Sequence, residues 1–264
     1  MKYKKIAIIA SKGEKASLRL KEVNSLYNFI LLDLDRRAII PEDIDLIVVL
    51  GGDGFMLHCL HRFMHLDVPI YGMNCGTIGF LLNHFEINNL NERFEKSEET
   101  ITYPLEMVAN LSDGRRISHL AINEVSLFRK SNQAAKIQVT INGDIRLEEL
   151  VCDGILLSTP AGSSAYNASV NGPILPIGSN ILALTPISPF RPRRWSGAIL
   201  PNTTIVKLNI LSPELRPVNA VADFLEVESV SSVIIKERRD LPMRLLFDKN
   251  HSLEERIIKE QFAY

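Results

Sequence analysis

Apolar runs recur through the first hundred residues. Lys5–Ala10, Ile44–Leu50 and Val68–Met73 are rich in isoleucine, valine and leucine with few polar positions. Continuous rather than alternating apolar runs predict strands buried on both faces, as in a parallel sheet. Between them, Ser17–Phe29 places Leu18, Val23, Leu26 and Phe29 at near-helical spacing, and a second helical stretch runs from Phe55 to about Met64. Strand, turn and helix in rotation predict βαβ units. Near residue 100 the pattern shortens. Ala121–Phe128, Lys136–Ile141, Ile145–Leu150, Ile155–Ser158, Thr204–Leu211, Phe224–Val230 and Ser232–Glu237 all read as short strands. Asn142-Gly143 between two of them is a hairpin signal, because both residues tolerate positive φ. Ser164–Val170 is small and polar enough for a short helix, and Ser252-Leu253-Glu254-Glu255 has capping-box form at the start of a last helical stretch. The expectation is an α/β domain over 1–100 with a Rossmann-like parallel sheet, an all-β domain over 101–237, and a closing segment over 238–264.

Composition narrows the partners. Lys plus Arg number 30 and Asp plus Glu 31 among 264 residues. No broad basic field exists to attract nucleic acid or an anionic membrane, so an anionic ligand must be held by local groups. No apolar run reaches the ~18 residues of a membrane span. Lys4-Lys5 before Ile6–Ala10 loosely imitates a signal peptide. The run is too short for a signal core of ~7–15 apolar residues, so a first buried strand is the better reading. Cys59, Cys75 and Cys152 are an odd count without CxxC spacing, as in a reduced, cytoplasmic protein.

Three constellations carry candidate chemistry. Gly51-Gly52-Asp53-Gly54 follows a buried strand and precedes a helix. Glycines let backbone N–H groups approach an anion, and the helix start adds a favourable dipole. A carboxylate there is poorly suited to bind phosphate, and makes sense if it accepts a hydroxyl proton or helps hold a metal. The plainer alternative is a tight turn with Asp53 as helix N-cap. The second constellation, Asp153 through Tyr166, packs hydroxyls, glycines and one aromatic after a strand. Ser163 and Ser164 could cap a helix or donate to ribose or phosphate oxygens, and Tyr166 could stack on a base; a polar loop is the alternative. The third is Asn123-Glu124 inside an apolar run. Adjacent strand residues point to opposite faces, so at least one lines a cavity or joins a polar network. There is no GxxxxGK[ST], and Leu57 stands where the third glycine of GxGxxG belongs, which argues against a Walker-type ATPase and a standard Rossmann NAD site.

Together and in this order, Gly51–Gly54, Asn74–Phe80 (NCGTIGF), Asn123-Glu124 and Asp153–Pro176 (DGILLSTPAGSSAYNASVNGPILP) resemble the NAD kinase family over nearly the whole chain. The resemblance implies an N-terminal α/β domain, a C-terminal β-sandwich, a last segment returning to the first domain, and a homodimer or homotetramer with its site between domains. It implies transfer of the ATP γ-phosphate to the 2′-hydroxyl of NAD's adenosine ribose. ATP (or polyphosphate) is then the donor, with Mg2+ or another divalent metal carried on its phosphates. Asp53 matches the general base, and Gly51, Gly52 and Gly54 approach the phosphates, with Gly54 also beside NAD. Phe80 and Tyr166 match adenine or ribose neighbours. Asn123, Glu124 and Asp153 match positions that hold NAD, His58 a position close to substrate, and Ala161 with Ser164, Ala165, Asn167, Ala168 and Ser169 the substrate loop. Ala161 and Ser164 stand where many relatives have Thr, Asn171 where many have Gly, and Val151 where many are basic. GGDG alone also fits a lipid or diacylglycerol-type kinase, for which the hydroxyl-rich 163–169 stretch is a poor match, or a non-catalytic dinucleotide sensor, which would need no base at Asp53.

Two further features invite weaker readings. His58, His61 and His65 with Cys59 lie at helical spacing and imitate a zinc face, although no second ligand cluster supports them and a solvated helix face is simpler. Phe190–Trp195 holds three arginines and could contact a phosphate or a partner subunit, or be a loop paired to nearby acids.

Overall fold

The computed structural model describes residues 2–35, 40–76, 79–193 and 195–249. The capping-box residues Ser252–Glu255, together with Thr77, Ile78 and Arg194, lie outside them. The chain divides into two compact units, one formed by residues up to Thr102 and from Leu241 onward, the other by Tyr103–Asp240.

In the first unit, Leu46–Gly51 is buried at all six positions. It lies between Ile6–Ala10 and Ile70–Asn74, paired in parallel with both. Ile30–Leu31 adds a parallel edge beside Ile6–Ala10, and Asn83–His84 pairs with the end of Ile70–Asn74. The chain contributes Met243–Phe247 from far along the sequence. It runs parallel to Ile70–Asn74 and antiparallel to Glu98–Thr102, so the sheet is mixed rather than purely parallel. Helix Asp53–Phe63 buries Met56, Cys59, Leu60 and Phe63, an i, i+3, i+4, i+7 stripe. Helix Glu14–Leu26 starts three residues earlier than its periodicity predicts and stops before Tyr27. The Tyr27 and Phe29 rings then stack at 5.3 Å, and the Tyr27 hydroxyl donates to the Ile87 carbonyl at 3.0 Å. Helix Leu90–Lys96 was not legible from the apolar pattern; only Leu90 and Phe94 are buried in it.

The second unit is a β-sandwich of two six-stranded antiparallel sheets. One runs Asp144–Cys152, Ala135–Ile141, Val206–Ile210, Val230–Glu237, Leu105–Leu111, Arg116–Ala121. The other runs Ala198–Pro201, Ile181–Ile187, Gly154–Ser158, Glu124–Arg129, Val218–Ala222, Leu225–Val227. Their facing positions share one core that includes Met107, Val125, Leu127, Val139, Ile155, Leu157, Leu208 and Val233. The hairpin at Asn142-Gly143 has φ of 51° and 93°, the left-handed pair that the sequence signal requires. The predicted strand Ala121–Phe128 is corrected. Arg116–Ala121 ends one strand, Glu124–Arg129 begins another in the opposite sheet, and Ile122-Asn123 is the corner. Among the described residues no helix is long and apolar enough to cross a membrane.

Candidate active site

The buried strand Leu46–Gly51 delivers the GGDG turn to the carboxyl edge of the first sheet, where open α/β sheets bind ligands. Gly52 is the helix N-cap and Asp53 is the first helical residue, so the capping alternative for Asp53 is corrected. Its carboxylate is instead aimed by two backbone donors. Oδ2 accepts the Phe80 N–H at 2.8 Å and Oδ1 the Leu81 N–H at 3.0 Å. A carboxylate has about four lone-pair sites, so each oxygen keeps acceptor capacity. The Cys75 N–H donates to the Gly51 carbonyl at 2.8 Å, tying the loop after Asn74 to the same turn. A Cβ at Gly51 would lie 2.7 Å from the Phe55 ring, so packing explains that glycine. At Gly52 and Gly54 a Cβ would meet nothing within 4 Å, and neither is among the positive-φ glycines. The fold itself does not require glycine at these two positions; the open space before them does the explaining. Gly54 and His58 are exposed one turn apart on the same helix face. Cys59 turns to the core, and among the described residues no three His, Cys, Asp or Glu side chains group to hold a metal.

In the second unit the candidates gather on the outer face of the Gly154–Ser158 sheet. Ile155 and Leu157 point into the core, so the neighbouring positions face outward. There, Pro160–Pro176 folds over the sheet. Thr159 Oγ1 donates to the Ile122 carbonyl at 2.7 Å and accepts the Gly162 N–H at 3.0 Å. Ser163 is buried, with its hydroxyl donating to the Pro160 carbonyl at 2.8 Å and accepting the Leu175 N–H at 2.9 Å. It neither caps the short helix Tyr166–Ser169, whose N-cap is Ala165, nor faces a ligand. Asn167 is fully buried. Its Nδ2 donates to the Ser163 and Pro173 carbonyls at 3.2 and 2.8 Å, and its Oδ1 accepts the Thr185 hydroxyl at 2.7 Å. That side chain, like buried Ala161, shapes the loop from within. Ser164, Ala165, Tyr166 and Ala168 are half-buried and Ser169 is exposed. Asn171 has φ 61°, the left-handed conformation in which glycine is at ease and asparagine is tolerated, which accounts for the exchange noted at that position.

The charges on this face are coupled. Asp153 Oδ1 accepts from Arg129 Nε at 2.5 Å. The Tyr166 ring lies 5.6 Å from that of Phe128, tilted by 47°. Burial, and then the negative charge of Asp223, push the Glu124 carboxyl up to about 8. Burial, followed by Glu124 and Asp153, raises the Tyr166 hydroxyl. Asn123 Oδ1 and Glu124 Oε2 are buried without a hydrogen-bond partner. Sequence reasoning missed Arg129, Phe128 and Asp223; each sits at the end of an apolar run, where nothing in the pattern marks it, whereas Thr159 lies within the second constellation. The Phe190–Trp195 cluster is anchored by backbone bonds between Arg191 and Val151, and Arg193 lies 5.1 Å over the Phe190 ring.

Comparison with known proteins places these two units together in one family. Residues 10–100 match the model of the ATP-NAD kinase N-terminal domain and residues 122–248 that of the ATP-NAD kinase C-terminal domain. The chain is 50% identical over 263 residues to an NAD kinase of Rickettsia bellii, covering 100% of both chains. It is 56% identical over 223 residues to one of Brucella suis, covering 84% of this chain and 87% of that one. Among solved structures, a yeast NADH kinase complexed with NADH superposes with a TM-score of 0.78 at 21% identity, covering 99% of this chain and 88% of the other. An Archaeoglobus fulgidus NAD kinase in complex with ATP gives 0.75 at 21%, covering 97% and 98%. The lipid or diacylglycerol-type kinase finds no support in these relatives.

Proposed function

Since the chain belongs to the NAD kinase family, whose members phosphorylate NAD at the expense of ATP, we propose that Asp53 is its general base and that Asn123, Glu124, Asp153 and Tyr166 hold the dinucleotide. The observation that carries this reading is the aimed carboxylate of Asp53 between two glycines that the fold does not itself require. The carboxylate takes the proton of the adenosine ribose 2′-hydroxyl as that oxygen attacks the γ-phosphorus of ATP in line. The new P–O bond forms, the bond to the β-phosphate oxygen breaks, and ADP leaves. Gly52 and Gly54 admit the donor phosphates against the start of helix Asp53–Phe63. His58, on the same exposed face as Gly54, neighbours the acceptor. Phe80, whose N–H is on the Asp53 carboxylate, and Tyr166 neighbour the adenosine, and half-buried Ser164, Ala165 and Ala168 with exposed Ser169 form the accessible side of the substrate loop.

A divalent ion would be carried mainly by the donor's phosphates and water, as Mg2+ prefers, and would supply positive charge to offset what develops on those phosphates. We place the enzyme in the cytoplasm as a homodimer or homotetramer. Its three free cysteines suit a reducing compartment, and Phe190 and Ile199 are large apolar side chains exposed on the second unit. We read the segment from Leu241 onward as belonging with the first domain, since Met243–Phe247 lies in that unit's sheet, while Arg238–Asp240 stay with the second unit.

Incubation with ATP, magnesium and NAD, followed by detection of NADP with an NADP-specific dehydrogenase, tests the reading. NADP formation that is abolished by Asp53→Ala is expected. Phosphorylation of a diacylglycerol in place of NAD would overturn it.

A further inference from the structure

The corner that splits the expected strand at Ile122-Asn123 is held by one side chain. Asp223 Oδ2 accepts the Ile122 N–H at 2.7 Å, and its Oδ1 accepts those of Asn123 at 2.9 Å and Glu124 at 3.2 Å. The Asp223 N–H in turn donates to the Glu124 carbonyl at 3.1 Å. Asp223 sits between strands Val218–Ala222 and Leu225–Val227 with φ 53°, a left-handed conformation that aspartate tolerates in a turn. Three charge-assisted bonds are thus concentrated on one corner. The corner is gripped from the other side as well. The Thr159 N–H donates to the Asn123 carbonyl at 2.9 Å, and Gly162 lies so close that a Cβ there would be 2.2 Å from the same oxygen. What this rigid backbone presents is a pair of adjacent side chains, Asn123 and Glu124, each with a buried oxygen lacking a hydrogen-bond partner. Enclosed polar atoms of this kind call for an explanation, and a bound ligand's hydroxyl and amide groups supply one.

We propose that Asp223 is a positioning residue for the acceptor dinucleotide: by clamping the Ile122–Glu124 corner it sets the Asn123 and Glu124 side chains for the ligand, and its charge governs how Glu124 meets it. The inference rests on the reading that Asn123 and Glu124 touch NAD. The groups facing Glu124 are Asp223, from the turn after Val218–Ala222, and the Tyr166 hydroxyl, from the short helix; Asp153, paired with Arg129, acts on Tyr166 in turn. With its carboxyl raised to about 8, Glu124 keeps its proton near neutral pH and offers a donor as well as an acceptor.

Asp223→Asn keeps one oxygen for the Asn123 and Glu124 N–H groups and removes the charge. KM for NAD should rise about tenfold near neutral pH, while KM for ATP and kcat stay within about twofold. The wild-type pH profile of KM for NAD should break near 8. In Asp223→Asn the break should move down by about one unit, because an anion facing the carboxyl has been removed. If Asp223 only builds the turn, both KM values and kcat will change together with the melting temperature and the break will stay put; that result overturns the proposal. Two changes at Glu124 separate the proposal from the reading beneath it. Glu124→Gln should abolish the break and hold KM for NAD near its low-pH value, because the amide mimics the protonated carboxyl, whereas Glu124→Ala should raise KM for NAD. Unchanged NAD affinity in Glu124→Ala would mean that the site itself is misread, whatever Asp223 does. The wild-type enzyme gives a check that needs no variant: NAD binding that is flat from about pH 6 to about pH 9 would also overturn the proposal.

Discussion

Asp53→Asn separates the chemical role of the carboxylate from its structural one. The wild-type carboxylate accepts the Phe80 and Leu81 N–H groups at 2.8 and 3.0 Å. An asparagine retains one acceptor oxygen and turns an NH2 toward the other N–H. One charge-assisted bond is lost and one amide is left facing a donor, a cost of about 2–4 kcal/mol against a total stability of about 5–15 kcal/mol. The fold should therefore survive with a lower melting temperature. Loss of proton acceptance should lower kcat by about 10²–10⁴-fold. The two effects part in the kinetics. A loosened Phe80–Leu81 loop raises KM, whereas a missing base lowers kcat at saturating NAD and ATP. Initial rates of NADP formation at about 15 °C, where the variant stays folded, with urea unfolding in parallel, measure both. A kcat within about threefold of wild type would refute the assignment of Asp53 as base.

Gly162→Ala should be damaging, because its Cβ would lie 2.2–2.4 Å from the Asn123 backbone; stability should fall by about 2–3 kcal/mol or more, with KM for NAD raised, and a variant as stable as wild type would show that the loop moves freely. Gly52→Ala meets no protein atom within 4 Å; unfolding should change by at most about 1 kcal/mol while KM for ATP rises, and an unaltered KM would remove the donor phosphates from this turn. Glu124 should make the ligand-free enzyme less stable as pH rises. Its folded carboxyl holds a proton to about 8, whereas the unfolded chain releases it near 4.5, so the unfolded state binds fewer protons through that window and stability declines across it by up to about 5 kcal/mol. Glu124→Gln should flatten that part of the melting-temperature profile, and an unchanged slope would contradict the buried carboxyl.

Local chemistry was legible wherever one stretch of chain carried it. The run Ile44–Leu50 ending in GGDG announced a buried strand, a turn and a helix, and the structure has Leu46–Gly51 followed by Asp53–Phe63. Asn142-Gly143 announced its hairpin because only its own two φ angles mattered. The order of motifs was enough to identify the family. What the sequence could not reveal depends on groups distant along the chain. Ala121–Phe128 reads as one strand because its apolar pattern is continuous. It is broken at Ile122-Asn123 by a carboxylate a hundred residues on, whose three hydrogen bonds outweigh local propensity. Whether Asp53 caps its helix or turns to chemistry is open in the sequence, and the N–H groups of Phe80 and Leu81 that aim its carboxylate come from another part of the chain; the Thr185 and Pro173 partners of Asn167 are equally invisible in its own segment. Strand Met243–Phe247 finds its neighbours in Ile70–Asn74 and Glu98–Thr102, a pairing that no local periodicity encodes. Backbone conformation follows from neighbouring residues; which polar group satisfies which is decided only when the whole chain has closed around it.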